Sequence, residues 1–374
     1  ETPQRAQAEI DGELGNVREA WNWAVMRAQL DELGSSASAL SRYYDLMGFI
    51  WEAEAVFGEA AQQLQALGPG KDGAQAIANR LLTEQARFLL LVAEYAKASE
   101  VAQRTAARAR RTGDTVCEAT LYYVQGEALW RQGDFPAART QLERSLDLLR
   151  EEQATGKAIQ AAREVETWAL GSLGAAFWIH GDCEQGRAYL QQALQIAQKD
   201  NDVRERSKLL ANLGVCAVEQ GNYAQANELL QQSLLIRQTM GDRRGEGVTL
   251  GNLGNVFLYL GAYARAQVYY EQALHIQREI GARNDQALSL GNLGLAHHYL
   301  GNNAAARALC REGLQIGRET GEQRTQGALW MKMGHALEGL GQHDSAAKAY
   351  QESADIRRRQ GWRDVVMEPL AGLA

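Results

Sequence analysis

Residues 250–281 read LGNLGNVFLYLGAYARAQVYYEQALHIQREIG, and the spacing of their apolar residues predicts two helices joined by a tight turn. Leu250, Leu253, Val256, Phe257 and Leu260 recur at three- and four-residue intervals, the signature of one helical face. Tyr263-Ala264-Arg265 opens a second run, in which Ala266, Tyr269, Tyr270, Ala273, Leu274 and Ile276 share a face. Gly261 sits where the first helix must stop and Gly281 where the second must, because glycine enters the left-handed conformation that ends helices without steric cost. Gly254 lies inside the first helix, where glycine costs about 1 kcal/mol against alanine. A packing reason is therefore expected, and Gly254, Ala266 and Ala273 mark where the paired helices approach most closely.

Outward from this stretch the pattern repeats. With the glycine of Asn-Leu-Gly as anchor, Gly214, Gly254 and Gly294 fall forty residues apart, and Gly174 and Gly334 continue the series. Seven residues on come Gly181, Gly221, Gly261, Gly301 and Gly341; twelve on, Gly186, Ala226, Ala266, Ala306 and Ala346. Twenty-two on, isoleucine stands at 196, 236, 276, 316 and 356. A fixed period of this length marks a solenoid of stacked helix pairs. Weaker copies are anchored at Gly126, Ala86 and Ser41, which makes about eight repeats. Two intervals exceed forty, one holding Gly68-Pro69-Gly70 and the other Arg150 to Lys157. Both are expected to be local extensions, since solenoid insertions collect at turns.

The small anchor, glycine at plus seven, aromatics at plus nine (Tyr223, Tyr263) and plus sixteen (Tyr270, Tyr350), and alanine at plus twelve and plus nineteen resemble the tetratricopeptide repeat. The resemblance is sharpest over 168–360. Cys183, Asn303 and His343 depart from it at plus nine, and the first two repeats keep only the phase. It implies an all-α, right-handed superhelix over 35–362, preceded by a capping or linker helix in 1–34. Residues 363–374 read as the start of a further helix, as if the chain were a piece of a longer protein.

A formal net charge of −7 argues against a nucleic-acid surface. Arg108-Arg110-Arg111 and Arg357-Arg358-Arg359 fall at the ends of second helices, where cations complement the helix dipole and are expected to be solvated. Four scattered cysteines without a CxxC point to a reducing compartment. With no long apolar run or signal sequence, a cytoplasmic location and no membrane contact are expected.

Residues 13–24, ELGNVREAWNWA, lie outside the repeat and form a helix with Leu14, Val17, Trp21 and Ala24 on one stripe. The segment resembles the E-L-x-N-L-R-A-A-L-x-W-A linker that joins the nucleotide-binding and winged-helix core of STAND signal-transduction ATPases to their superhelical sensor. Glu13, Leu14, Asn16, Arg18, Ala20, Trp23 and Ala24 match it, with Val17 and Trp21 in place of leucines. The resemblance implies that Arg18, Trp21 and Trp23 couple the repeats to an upstream nucleotide-binding domain of the same chain. The simpler alternative is a cap that closes the first repeat with both tryptophans. No GxxxxGK[ST] occurs, and Gly68-Pro69-Gly70-Lys71-Asp72 lacks the spacing and hydroxyl of a phosphate loop, so no cofactor is expected.

In the tetratricopeptide family the first helices line the concave side, which implies a ligand groove here. Two residues before the anchors stands the ladder Asn212, Asn252, Asn292. An amide both donates and accepts, so spaced asparagines suit the backbone of an extended peptide. Gly251 and Gly291 beside them remove side chains, as Gly171 does earlier; close ligand approach and helix–helix packing are both open readings. The other inward positions form an apolar strip through Trp130, Trp168, Trp178, Leu258, Tyr259 and Tyr299, turning polar toward His298 and His335. Such a strip marks an interaction site, with Asn255, Lys208, Glu219, Glu338 and Arg131 as sparse polar contacts. The clustered histidines lack acidic or thiol partners at ligand spacing, so no metal is expected, and no catalytic triad or carboxylate dyad can be assembled. The sequence thus predicts a binding protein and not an enzyme. Its reading is a sensor that takes an inducer peptide, protein or small molecule in the groove. A scaffold for protein assembly is the alternative, and a peptide-pheromone receptor the weaker third.

Overall fold

The computed structural model describes residues 3–67, 73–154 and 159–359, and among them every regular element is an α-helix. Helix α1 (Pro3–Arg27) stands alone and eight helix pairs follow: α2 (Leu30–Met47) with α3 (Ile50–Ala66), α4 (Ala74–Leu91) with α5 (Tyr95–Thr112), α6 (Thr115–Arg131) with α7 (Phe135–Ala154), and α8 (Ile159–Ile179) with α9 (Cys183–Lys199). Then come α10 (Val203–Glu219) with α11 (Tyr223–Met240), α12 (Arg243–Tyr259) with α13 (Tyr263–Glu279), α14 (Arg283–Tyr299) with α15 (Asn303–Thr320), and α16 (Gln323–Glu338) with α17 (His343–Arg359). Each of the eight anchors falls in the first helix of a pair. The first pair begins at Leu30, five residues before the expected start of the repeats. Residues 68–72, most of the 150–157 insertion's end and the expected helix at 363–374 lie outside the described residues.

The turns follow the chemistry read from sequence. Gly261 takes a left-handed backbone at φ 72°, and in the weak second repeat the same place is held by Ala93 at φ 62°. The repeat geometry forces that conformation even where a Cβ makes it costly. The next helix start is capped in several repeats; Asp242 Oδ1, for example, accepts from the backbone N–H of Gly245 at 2.9 Å.

The helix-pair contact is met at the anchors and explains their glycines. A Cβ on Gly174 would lie 2.9 Å from the carbonyl oxygen of Gly186, twelve residues on, and 2.6 Å from Leu190 Cγ, sixteen on. At Gly254 and Gly334 the plus-sixteen side chain is a tyrosine, Tyr270 or Tyr350, whose ring fills the space a Cβ would need. The close approach therefore involves the plus-sixteen side chain as well as the small residue at plus twelve.

Two compact units are distinguished, Glu1–Leu209 and Leu210–Ala374. In the first, Trp21 from α1 meets Phe57 edge-on with ring centroids 5.7 Å apart, and Phe57 stacks on Phe88 at 5.8 Å. These rings join Leu33, Tyr44 and Leu64 in one core. Only Trp21 closes the first pair: it is 6% exposed, whereas Trp23 is 52% exposed and faces solvent. In the second unit Tyr270, Leu290, Leu314, Leu329 and Tyr350 form the core. Arg357 corrects the expectation of solvated helix ends, because it is buried at the end of α17.

Candidate ligand-binding surface

Within the second unit α12 packs on α14 and α14 on α16, so these three first helices stand side by side and residues forty apart on them line up, as Asn292 and Lys332 do. The asparagine ladder is split by its surroundings. Asn212 is exposed and Asn252 half-buried, and neither side chain makes a hydrogen bond among the described residues. Asn292 is committed internally: its Nδ2 donates to Asn255 Oδ1 at 3.4 Å, and its Oδ1 accepts from Lys332 Nζ. Asn255 Oδ1 also accepts from the Tyr270 hydroxyl at 2.7 Å. Lys332 is only 8% exposed, so this relay ties α12, α14 and α16 together in a poorly solvated place, where charge-assisted hydrogen bonds are strong. Sequence reasoning passed over Lys332, although it occupies the ladder position of the last repeat.

The two glycines beside the ladder divide the same way. A Cβ at Gly291 would come within 2.7 Å of Leu329 Cδ2, so packing between α14 and α16 accounts for it. Gly171 lies 3.3 Å from Leu209 Cδ2 by the same measure. At Gly251 a Cβ would meet nothing, and the inner face is open there.

Tyr259 and Tyr299 close α12 and α14. They stand at the turn edge, where Tyr223 stacks on Tyr259 with centroids 6.2 Å apart and Tyr263 on Tyr299 at 4.7 Å. They are 60% and 50% exposed, and the His298 ring lies beside Tyr299 with centroids 5.3 Å apart. Leu258 is half-buried against the core. His298 stacks on His335 with ring centroids 5.8 Å apart. Its Nδ1 is 2.7 Å from Asn303 Oδ1, and His335 Nδ1 is 2.9 Å from the Tyr350 hydroxyl. That hydroxyl also donates to Glu338 at 2.9 Å, and burial pushes its acidity far down. A depression of about 550 Å³ beside Asn303 is lined by His297, Asn302, Gly339 and Leu340.

In the first unit the tryptophans expected to line the groove sit beside charged groups. The Arg131 guanidinium lies 4.5 Å over the Trp130 ring, and that of Arg87 lies 4.3 Å over Trp168, distances at which cation–π attraction operates. Tyr123 packs against Trp168 at 5.7 Å. Trp178 is half-buried, and its backbone N lies 3.0 Å from where a Cβ on Gly186 would sit. Arg87 also donates to Glu84 at 2.8 Å, which accepts from Ser41 at 2.6 Å. Glu127 holds Arg131 at 2.9 Å and Ser172 at 2.6 Å. Burial pushes the Glu164 carboxyl above the usual range, against the pull of Arg42 and Arg87. The signal for this ionic lining was the inward register itself: Arg42, Arg87 and Glu127 all stand one residue after an anchor, in repeats whose signature residues are weak.

At the N-terminal helix Arg18 grips Glu52 through two hydrogen bonds, at 2.6 and 2.5 Å, and Tyr44 donates to the same carboxylate at 3.0 Å. Arg18 and Trp21 thus fasten α1 to the first pair, and Trp23 alone of the three is turned outward. Among the described residues no group of three metal-ligating side chains converges, and no helix is long and apolar enough to cross a membrane.

A family model described as the tetratricopeptide repeat matches residues 76–151, 164–239, 205–279 and 285–359. No curated protein matches the chain in sequence. Among solved structures, a Rap protein complexed with competence and sporulation factor superposes with a TM-score of 0.65 at 15% identity, over 93% of this chain and 96% of that one. NprR in complex with its cognate peptide NprX gives 0.61 at 15% identity, over 87% of each chain. A STAND protein with a tetratricopeptide repeat sensor, from Pyrococcus horikoshii, gives 0.54 at 15% identity, over 86% of this chain and 52% of that one. At such identities the likeness is one of fold.

Proposed function

Because the chain belongs to the tetratricopeptide repeat family, a scaffold that binds proteins and does not catalyse, we propose that the inner face of its second unit receives an extended peptide. The observation that carries this reading is the conjunction at α12: an asparagine amide with no hydrogen-bond partner among the described residues, beside a glycine whose missing side chain leaves open space. Asn212 and Asn252 would hydrogen-bond the peptide backbone, and Gly251 would let that backbone come close. The exposed ring of Tyr259 would take an apolar side chain. The Rap and NprR structures of similar fold are named as complexes with a peptide or factor, which favours a peptide over a small molecule.

In the wider role we propose, the chain is the sensor of a STAND-type regulator, with Trp23 on α1 as the contact to an upstream nucleotide-binding domain. Regulation of that kind requires the peptide to bind two states of the regulator with different affinity. A scaffold without a switch is the alternative, and it predicts that peptide binding changes nothing upstream.

The experiment is selection from a random peptide library on the wild-type protein, followed by titration of the best peptide. Asn212→Ala/Asn252→Ala is expected to weaken it tenfold or more, about 1.4 kcal/mol, and Gly251→Leu to abolish it. Equal affinity for wild type and both variants would move the site elsewhere. Trp23→Ala should leave peptide affinity unchanged but blunt nucleotide turnover of the regulator in response to peptide; an intact response removes the sensor role and leaves the scaffold.

A further inference from the structure

Most ion pairs in the described residues join side chains of one helix, or of helices at most two apart in the chain. Two do not. Asp45 on α2 meets Arg204 on α10 at 2.7 Å, and Arg42, one turn away on α2, reaches Glu164 on α8 at 3.5 Å. Their partners belong to the third and fourth repeats beyond their own. All four residues lie within the first unit. The backbone of α2 packs on α1, α3 and α4, so the span to α8 and α10 is bridged by the long side chains of Arg42, Glu164 and Arg204. Beneath these pairs Arg87 of α4 lies over the ring of Trp168 on α8, 4.3 Å from its centre, a third contact that skips a repeat.

The pairing is also ordered by sign. Helix α2 presents a cation and an anion one turn apart, α8 answers the cation with a carboxylate, and α10 answers the anion with a guanidinium. A shift of α2 by one turn would set like charges against each other, so the four groups specify one register.

We propose that Arg42–Glu164 and Asp45–Arg204 form an ionic clasp that closes the first unit upon itself, so that access to the inner wall around Trp168 is gated by charge competition. This device is independent of the peptide reading, which concerns the other unit. Between partly exposed groups such attraction is screened by salt, with a Debye length of about 8 Å at physiological strength and about 3 Å at 1 M. A solenoid repeat otherwise touches only its neighbours, so once the clasp opens, α2 is held by the successive packing of α2 on α4, α4 on α6 and α6 on α8, with Arg87 on Trp168 as the remaining contact that skips a repeat.

The test is the distance between spin labels on genetically encoded ketone residues at positions 38 and 203, which leaves the native cysteines alone. Wild type at low salt should give a short, narrow distribution that lengthens or broadens in 1 M salt. Arg204→Glu should show the open distribution already at low salt, with helix content by circular dichroism unchanged. The charge swap Asp45→Arg/Arg204→Glu should restore the short distance. One unvarying distribution across wild type, high salt and Arg204→Glu would overturn the clasp, showing that packing on α1, α3 and α4 alone fixes α2. Failure of the swap to restore the closed distance would overturn it equally. Peptide affinity at the second unit is read separately and bears on neither outcome.

Discussion

Asn303 donates from Nδ2 to the carbonyl of Gly339 at 3.0 Å, at the place where the two preceding seams stack Tyr223 on Tyr259 and Tyr263 on Tyr299. Residue nine of one repeat thus meets residue five of the next, and the pair changes together: tyrosine with tyrosine, then asparagine with glycine. A Cβ on Gly339 would collide with the Asn303 amide. Gly339→Ala should lower stability by about 1–3 kcal/mol, the cost of overpacking. In an Asn303→Ala background most of that loss should vanish, and urea unfolding of the four proteins as a double-mutant cycle measures the coupling.

The inner-face glycines should separate by stability. Gly251→Ala meets open space and should stabilise by about 0.5–1 kcal/mol through helix propensity. Gly291→Ala meets Leu329 and should destabilise. Thermal unfolding of the two variants checks the opposite signs; destabilisation by Gly251→Ala would mean the helix face there is packed.

The ladder asparagines should separate likewise. Asn292→Ala removes the acceptor of Lys332 Nζ and the donor to Asn255, and should cost about 1.5–3 kcal/mol, as for a hydrogen bond to a charged group. Asn212→Ala on an exposed site should stay within about 0.5 kcal/mol of wild type. Chemical denaturation of each decides.

Thiol chemistry should follow burial. Burial pushes the Cys117 thiol up to about 12 and that of Cys310 up to about 11; Cys216 is buried and Cys183 half-buried. A thiol reagent at neutral pH should modify Cys183 rapidly and the other three only on unfolding. Because the folded thiols keep their protons longer than the unfolded ones, their stabilising contribution is complete below the free value of about 8.5 and is lost as pH rises through 11 to 12. Cys117→Val should therefore flatten the alkaline part of the stability curve.

Much of the fold was legible because a solenoid writes its contacts at fixed sequence distance. Anchor, plus seven and plus twelve gave the helix pair, its turn and its closest approach, and Ala93 shows the phase surviving where the residue changed. Trp21 was legible as an apolar-stripe residue, whereas the outward direction of Trp23 depended on where α1 settles against Phe57.

The asparagine ladder was legible as a register, but the sequence presents Asn212, Asn252 and Asn292 as equals. Their difference comes from what lies opposite each one: Lys332 and Asn255 engage the third, and among the described residues no hydrogen bond engages the side chains of the first two. The ionic contacts of Arg42 and Asp45 were illegible for the same reason, since their partners stand three and four repeats away at no repeating offset. By itself, then, the sequence determined the repeat, its helices and their register, because those rest on interactions within forty residues. Only the tertiary structure decided which residues in that register remain free to bind, because that depends on how successive helices tilt and on which long side chains meet across them.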